Sequence, residues 1–387
     1  MNISQPIDRR RALAAIGALS LAGCLGRAEE AVRTDNASGG DDSEQTDEPE
    51  SEPPSDATEL EIDGITKDPD GDAPVVTGEA LHMAHAVDDL REAALSGGPG
   101  VDGIPAIDNP QFEPIADSNL GADKPVFGVV RDGEAKAYSQ QVLVWHEIVN
   151  DEIAGDPITV TYCPLTGTAQ GFDRGETTFG VSGQLINSNL LMFDRGTGTL
   201  WPQMLAQGIE GPLLGEQLSE FRLVWTTVGR WRDRYPESVI ITNDTGYQRR
   251  YGDDPYGGYA PRSGYYDTDG IMFDPLVESD AAHPKSVVIG ARTPTGAIAF
   301  DKERLLEERI LSGTIGDERY VAVADPRLQT GYVYHDPDGT TIEPDGENYL
   351  VDGETVQPES LPLDRTIAYD AMFFAWYGYY PDTTYVN

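Results

Sequence analysis

The sequence predicts a mainly β fold: a β-rich α+β body of two related β units, packed as one, with a few short helices. Three observations predict it. Short apolar-alternating segments dominate, separated by Gly, Asp, Asn and Pro, the pattern of strands and turns. Strands do not alternate regularly with long helices, which argues against a doubly wound α/β sheet. And one stretch of the chain lies on another at a constant offset without gaps, as expected of an internal repeat.

In chain order, residues 1–24 read as a signal peptide. Asp8 is followed by Arg9, Arg10 and Arg11, then by an apolar run from Ala12 to Leu21 that is too short to span a bilayer. The run ends in Leu21-Ala22-Gly23-Cys24. This resembles a lipoprotein signal, with Cys24 as the lipidation site, and the arginines resemble a twin-arginine export signal. The expected location is the extracellular face of the cytoplasmic membrane, with the membrane as partner through a lipid anchor.

Residues 25–75 read as an acidic, disordered tether. They are rich in Asp, Glu, Ser, Pro and Gly and offer little apolar area to offset the entropy of ordering. Asn36 and Asn243 head glycosylation sequons.

Residues 76–387 read as the globular domain, with repeat halves over about 100–240 and 260–387. Thr77 to Ala94 suits a helix: a threonine start, apolar Leu81, Ala84, Ala86 and Leu90, and Gly97-Gly98 as a stop. Val126–Val130, Ala135–Tyr138, Ile158–Tyr162, Thr178–Val181, Leu190–Phe193, Val287–Ala291, Ala297–Phe300 and Tyr320–Ala324 suit strands. Gln140–Val149 and Thr227–Tyr235 suit short helices. In the repeat, Val126–Asp173 lies on Val288–His335. Gly128 meets Gly290, Ala135 meets Ala297, Leu143 meets Leu305 and Pro164 meets Pro326. The second copy keeps this skeleton but puts Glu307-Glu308-Arg309 where the first has Trp145-His146-Glu147, and Ala324-Asp325 where the first has Tyr162-Cys163. Chemistry or binding is therefore expected in the first copy.

The charge narrows the class of partner. Asp and Glu number 67 against 27 Lys and Arg, a net charge of −40 over 387 residues. Nucleic acid and anionic membrane surfaces are polyanions, so direct binding to either is not expected. The acidity extends over the folded part, as in adaptation to a halophilic setting where molar salt screens self-repulsion.

Two long motifs carry a resemblance. Trp145-His146-Glu147-Ile148-Val149-Asn150-Asp151 and Thr161-Tyr162-Cys163-Pro164-Leu165-Thr166-Gly167-Thr168-Ala169 are similar to the domain-of-unknown-function family 3179. Phe179-Gly180-Val181-Ser182-Gly183, Asn187, Asp194-Arg195, Leu200-Trp201, Asp254-Pro255-Tyr256-Gly257 and Phe374-Ala375-Trp376 extend it over about residues 100–385. The resemblance implies an exported domain whose shared polar residues cluster around Cys163, and no activity. Many members read Cys-Pro-Leu-Cys where this chain reads Cys163-Pro164-Leu165-Thr166, so a thiol pair is not available here.

Cys163 has no disulfide partner if Cys24 is lipidated. It reads as a buried small hydrophobe, a metal ligand or a nucleophile. As a metal ligand it would join His146, with His283 as a third donor; soft sulfur with imidazole suits copper or zinc. As a nucleophile it would take His146 as base, with Asn150, Asp151 or Glu147 to orient the ring. A ligand pocket would use Asn150, Asp151, Tyr162, Asn187 and Asp194. The leading expectation is thus a lipid-anchored extracellular binding protein whose foremost candidate ligand is a transition metal such as copper, at the His146 and Cys163 site. The alternatives are a cysteine-dependent enzyme on the same residues, and an interaction module in which Cys163 is core.

The stretch holding Tyr247, Tyr251, Tyr256, Tyr259, Tyr265 and Tyr266 with Arg249, Arg250 and Arg262 reads as a loop packed by its own rings, or as a stacking surface for sugars or a peptide. Asp68-Pro69-Asp70-Gly71 and Asp336-Pro337-Asp338-Gly339 read as turns, since neither continues into a calcium loop.

Overall fold

A computed structural model describes residues Glu59–Asn387, Ala260 excepted. The signal, Cys24, Asn36 and the first part of the tether lie outside the described residues. Asn243 is exposed.

The fold is mainly β, and its two halves repeat one topology. In the first half, Pro125–Arg131 and Glu134–Ser139 form an antiparallel hairpin with Gly128 opposite Ala137. In the second, Val287–Thr293 and Gly296–Asp301 do the same with Gly290 opposite Ala299. A seven-residue helix follows each hairpin, Gln140–His146 and Lys302–Glu308. Each helix ends on a non-glycine residue at positive φ, Glu147 at 58° and Arg309 at 75°. The chain then enters a three-strand meander: Ile148–Ile153, Asp156–Cys163 and Thr168–Asp173 in one half, and Ile310–Ile315, Glu318–Asp325 and Thr330–His335 in the other. The turned residue anchors the middle strand in both: Tyr162 donates its N–H to the Glu147 carbonyl at 2.8 Å, and Ala324 donates to Arg309 at 2.9 Å.

Each half closes with a strand, a helix and a strand. Val224–Thr227 pairs with the first hairpin, the helix Val228–Arg234 follows, and Val239–Ile241 runs parallel to Glu134–Ser139. Ala368–Met372, the helix Phe373–Tyr379 and Thr384–Val386 repeat this in the second half. Trp231 stacks on Tyr235 with centroids 4.4 Å apart, and Trp376 on Tyr380 at 4.6 Å. Each indole N–H reaches a hydroxyl, Ser238 at 3.1 Å and Thr383 at 3.0 Å. Buried indoles take such partners because an unpaired N–H costs free energy in a core.

The halves differ in what they insert. The first carries the strands Phe179–Ile186, Asn189–Asp194 and Leu200–Pro202. The second carries a three-strand sheet, Ile342–Asp345, Asn348–Val351 and Glu354–Val356. The first insertion seats the second half: Ile186, Leu191, Phe193 and Met204 share one buried cluster with Val288, Phe373 and Trp376.

Several expectations change. The helix expected over Thr77–Ala94 is only Val87–Glu92. Val76–Thr77 instead pairs with Gln217–Leu218, and His82 gives its N–H to the Thr293 carbonyl at 2.9 Å, so tertiary bonds compete with the helix there. The helix begun at Gln140 stops at His146, because Glu147 turns to positive φ and Ile148 enters the meander. The tether expected to 75 is not free over its last part. Leu60, Ile62 and Ile65 pack on the large cluster, and Asp68 donates its N–H to the Thr197 carbonyl at 2.8 Å. Lys67 bridges Glu61 at 2.7 Å and Glu210 at 2.9 Å. Three apolar residues and one lysine among the acids supply this docking.

Candidate functional site

The corner between the helix Gln140–His146 and the meander carries the two motif residues expected to act together. His146 ends the helix and is fully buried. Its Nδ1 lies 2.7 Å from the Pro105 carbonyl, so Nδ1 carries the proton and donates. Its Nε2, 2.7 Å from the Tyr251 hydroxyl, accepts. Tyr251 also meets the Thr245 hydroxyl, and its ring stacks on the imidazole at 5.7 Å. Burial pushes the imidazole pKa down to about 4; the Pro105 carbonyl opposes this and Arg249 adds to it. Both ring nitrogens are therefore engaged, on a neutral ring.

Cys163 closes the strand Asp156–Cys163 and is 1% exposed. It shares a cluster with Ile148, Leu165, Leu190 and Trp201, and its thiol points at the Ser188 carbonyl at 3.6 Å. Burial raises its pKa to about 11, with the charge of Glu147 adding to the shift and bonds from Thr166 and Leu190 opposing it. The sulfur stays a thiol at neutral pH. Glu147 is the residue whose state the sequence did not disclose. Its side chain is buried, and burial alone raises its pKa to about 8. At neutral pH it is mostly a neutral acid.

The expected metal set does not converge. His283, half exposed, binds Asp269 through Nε2 at 2.8 Å and accepts the Lys285 N–H on Nδ1 at 3.1 Å. His146 has no free nitrogen and Cys163 no thiolate. Among the described residues, no three or more His, Cys, Asp or Glu side chains are grouped to hold an ion. This donor set does not fit copper or zinc, which need several donors converging on one point, a free imidazole nitrogen among them.

The expected pocket residues are likewise spread and occupied. Asn150 ties strands together, donating to Asp108 at 2.6 Å and Phe179 O at 2.9 Å while accepting from Thr159 at 2.8 Å. Asp151 takes the Tyr138 hydroxyl at 2.6 Å and Lys136 at 3.1 Å. Tyr162 receives the Gln140 amide at 3.2 Å. Asn187 donates to the Ala375 carbonyl at 2.7 Å, and Asp194 accepts the Trp201 N–H at 2.9 Å. Each holds two segments together, and none lines a cavity with the others.

A cavity of about 330 Å³ does open at the seam between the halves. Trp225 and Tyr259 form one wall, their rings 4.9 Å apart and tilted by 41°. Arg262, His283 and Glu303 stand exposed at its rim, and Lys302 lines it from the start of the helix Lys302–Glu308. The buried Tyr259 hydroxyl belongs to the wall that Arg262 covers, and Asp370 lies buried behind Lys302. The Lys302 ammonium is 2.9 Å from Asp370 Oδ1, an ion pair out of hydrogen-bond alignment. Asp370 is 2% exposed, so its charge leans on Lys302. Of the residues singled out in the sequence, Tyr259 and Arg262 of the tyrosine-rich stretch and the metal candidate His283 line this cavity. Tyr256, Tyr265 and Tyr266 of that stretch do pack ring on ring, with centroids 6.0 to 6.4 Å apart.

The model of a family described as Protein of unknown function (DUF3179) matches residues 101–383. No curated protein and no solved structure matches the chain.

Proposed function

This chain belongs to the DUF3179 family, and we propose that it is a binding protein held at the cell surface by a lipid on Cys24, taking a small ligand into the seam cavity. One observation carries the reading. The cavity is the size of a small-molecule site, has an aromatic wall, and carries the charged and polar side chains of Arg262, His283, Lys302 and Glu303 around it. Pockets for small ligands combine an apolar wall with a few convergent polar groups in this way.

The motif residues support this division of labour. His146, Asn150, Asn187 and Asp194 hold segments of the body together, a structural role that fits recognition at the seam. The cysteine-enzyme reading draws less support, since a buried thiol with a raised pKa is a poor nucleophile. Export, the anchor and salt adaptation rest on the arginines, the lipobox and the acidity of the sequence.

The test is a thermal-shift survey in concentrated potassium chloride. Small acids, amines and polyols are compared on wild type and on two cavity-filling variants, Leu306→Trp and, at the exposed rim, Glu303→Trp. At least one compound should raise the wild-type melting temperature and lose that effect in the filled variants. If every compound acts alike on all three proteins, the cavity is not a binding site.

A further inference from the structure

We infer that the ligand of the seam cavity is a ring compound bearing a carboxylate, bound with its flat face on Trp225 and Tyr259 and its charge toward Arg262. The inference rests on the cavity being the binding site.

The free hydrogen-bond donors decide the class, since the lining charges balance, Arg262 and Lys302 against Asp301 and Glu303. Lysine and arginine are scarce, 27 against 67 acids, yet Arg262 and Lys302 both reach this one cavity. The Arg262 guanidinium lies over the Tyr259 ring, 5.4 Å from its centroid, and spends one nitrogen on the Lys285 carbonyl at 3.2 Å. Stacking holds the fork in place while its remaining N–H groups keep their donor capacity. Of the acids present, Asp301 is already used: it caps the helix through the Arg304 N–H at 2.9 Å and takes the Tyr385 hydroxyl at 3.2 Å. Asp370 is matched to Lys302. What remains at the rim is the Arg262 guanidinium, with donors beyond the one given to Lys285, and the exposed carboxylate of Glu303. A carboxylate fits that fork in two parallel bonds and carries a single charge. A phosphate dianion would leave charge unmet next to Glu303.

The wall decides the rest. Two aromatic rings at 41° form an angled cleft, and a cavity of about 330 Å³ holds a single ring with its substituent. A flat aromatic acid and a sugar acid both present an apolar face beside a carboxylate, so the shared chemistry is the ring carboxylate.

Calorimetry in concentrated potassium chloride separates the sources, with benzoate against benzamide and D-glucuronate against D-glucose. One acid should bind about tenfold more tightly than its neutral partner, the worth of one charge-assisted bond pair. The exposed Arg262→Gln should erase that preference without preventing folding. The ring that shows the preference names the source. Equal binding of acid and neutral partner, no binding of either acid, or a preference unchanged in Arg262→Gln would each overturn the inference. If the acids fail while an amine or polyol still shifts wild type and not the filled variants, the carboxylate falls and the cavity stands. If nothing distinguishes the filled variants, both fall.

Discussion

The indole of Trp231 closes over Gly128 so tightly that a β-carbon built there would sit 2.0 Å from its ring. Trp376 stands in the same relation to Gly290, at 2.2 Å. Both glycines are central in a hairpin strand, and both tryptophans lie on the helix that packs back across it. Neither glycine is needed for its dihedral angles. Each is needed for the space.

Gly128→Ala and Gly290→Ala should therefore destabilise the protein to a similar extent. Overpacking a close-fitted core costs about 1–3 kcal/mol, and a rigid indole has little room to yield. Gly100→Ala is the control, since a β-carbon there meets nothing within 4 Å. Denaturant unfolding in one fixed salt concentration reads all three. A Gly128→Ala midpoint no lower than that of Gly100→Ala would remove the packing argument.

This contact also shows what the sequence could disclose. Gly128 with Gly290, and Leu143 with Leu305, fall on one constant offset, so the hairpin, helix and meander are legible as a repeat. Trp231 and Trp376 fall on a shorter offset, because the second half inserts a smaller segment before its last strand. A gapless comparison passes over them. The helix Phe373–Tyr379 hides for another reason: it is buried on nearly every side, so no polar face marks its period. The seam cavity hides because Trp225, the pair Tyr259 and Arg262, and Lys302 come from three separate stretches. Cys163 was legible as a thiol without a partner, while its setting beside a buried Glu147 depends on the helix ending at positive φ.

Glu147 makes stability fall as pH rises toward 8. Its folded pKa is raised from the ordinary 4.5 to about 8, so the folded state holds a proton that the unfolded chain releases. That contribution is full below about pH 4.5 and is lost as pH rises through 8. His146 acts in the opposite sense and lower down: its folded pKa is lowered from 6.5 to about 4, so its contribution is present above 6.5 and lost as pH falls toward 4. Between pH 6.5 and 8 the slope from this pair belongs to Glu147. Glu147→Gln should flatten the loss of melting temperature over that range. An unchanged slope would mean that Glu147 is ionised in the folded protein.

Cys163 should resist modification in the folded protein. With a pKa raised to about 11, roughly one molecule in a thousand carries the thiolate at pH 8. The side chain is also enclosed by Leu165, Leu190 and Trp201. A thiol-directed reagent should therefore label the unfolded chain fully and the native protein only at the rate of opening. The same burial bears on metal, because a sulfur must lose its proton to bind copper or zinc. Cys163→Ala should consequently leave any copper or zinc content unchanged while lowering stability, since it removes a packed sulfur from the core. Rapid stoichiometric labelling of native protein at pH 7 would restore the nucleophile. Metal bound by wild type and lost in Cys163→Ala would restore the ligand. Either result would move the functional centre from the seam back to the corner where His146 and Cys163 lie.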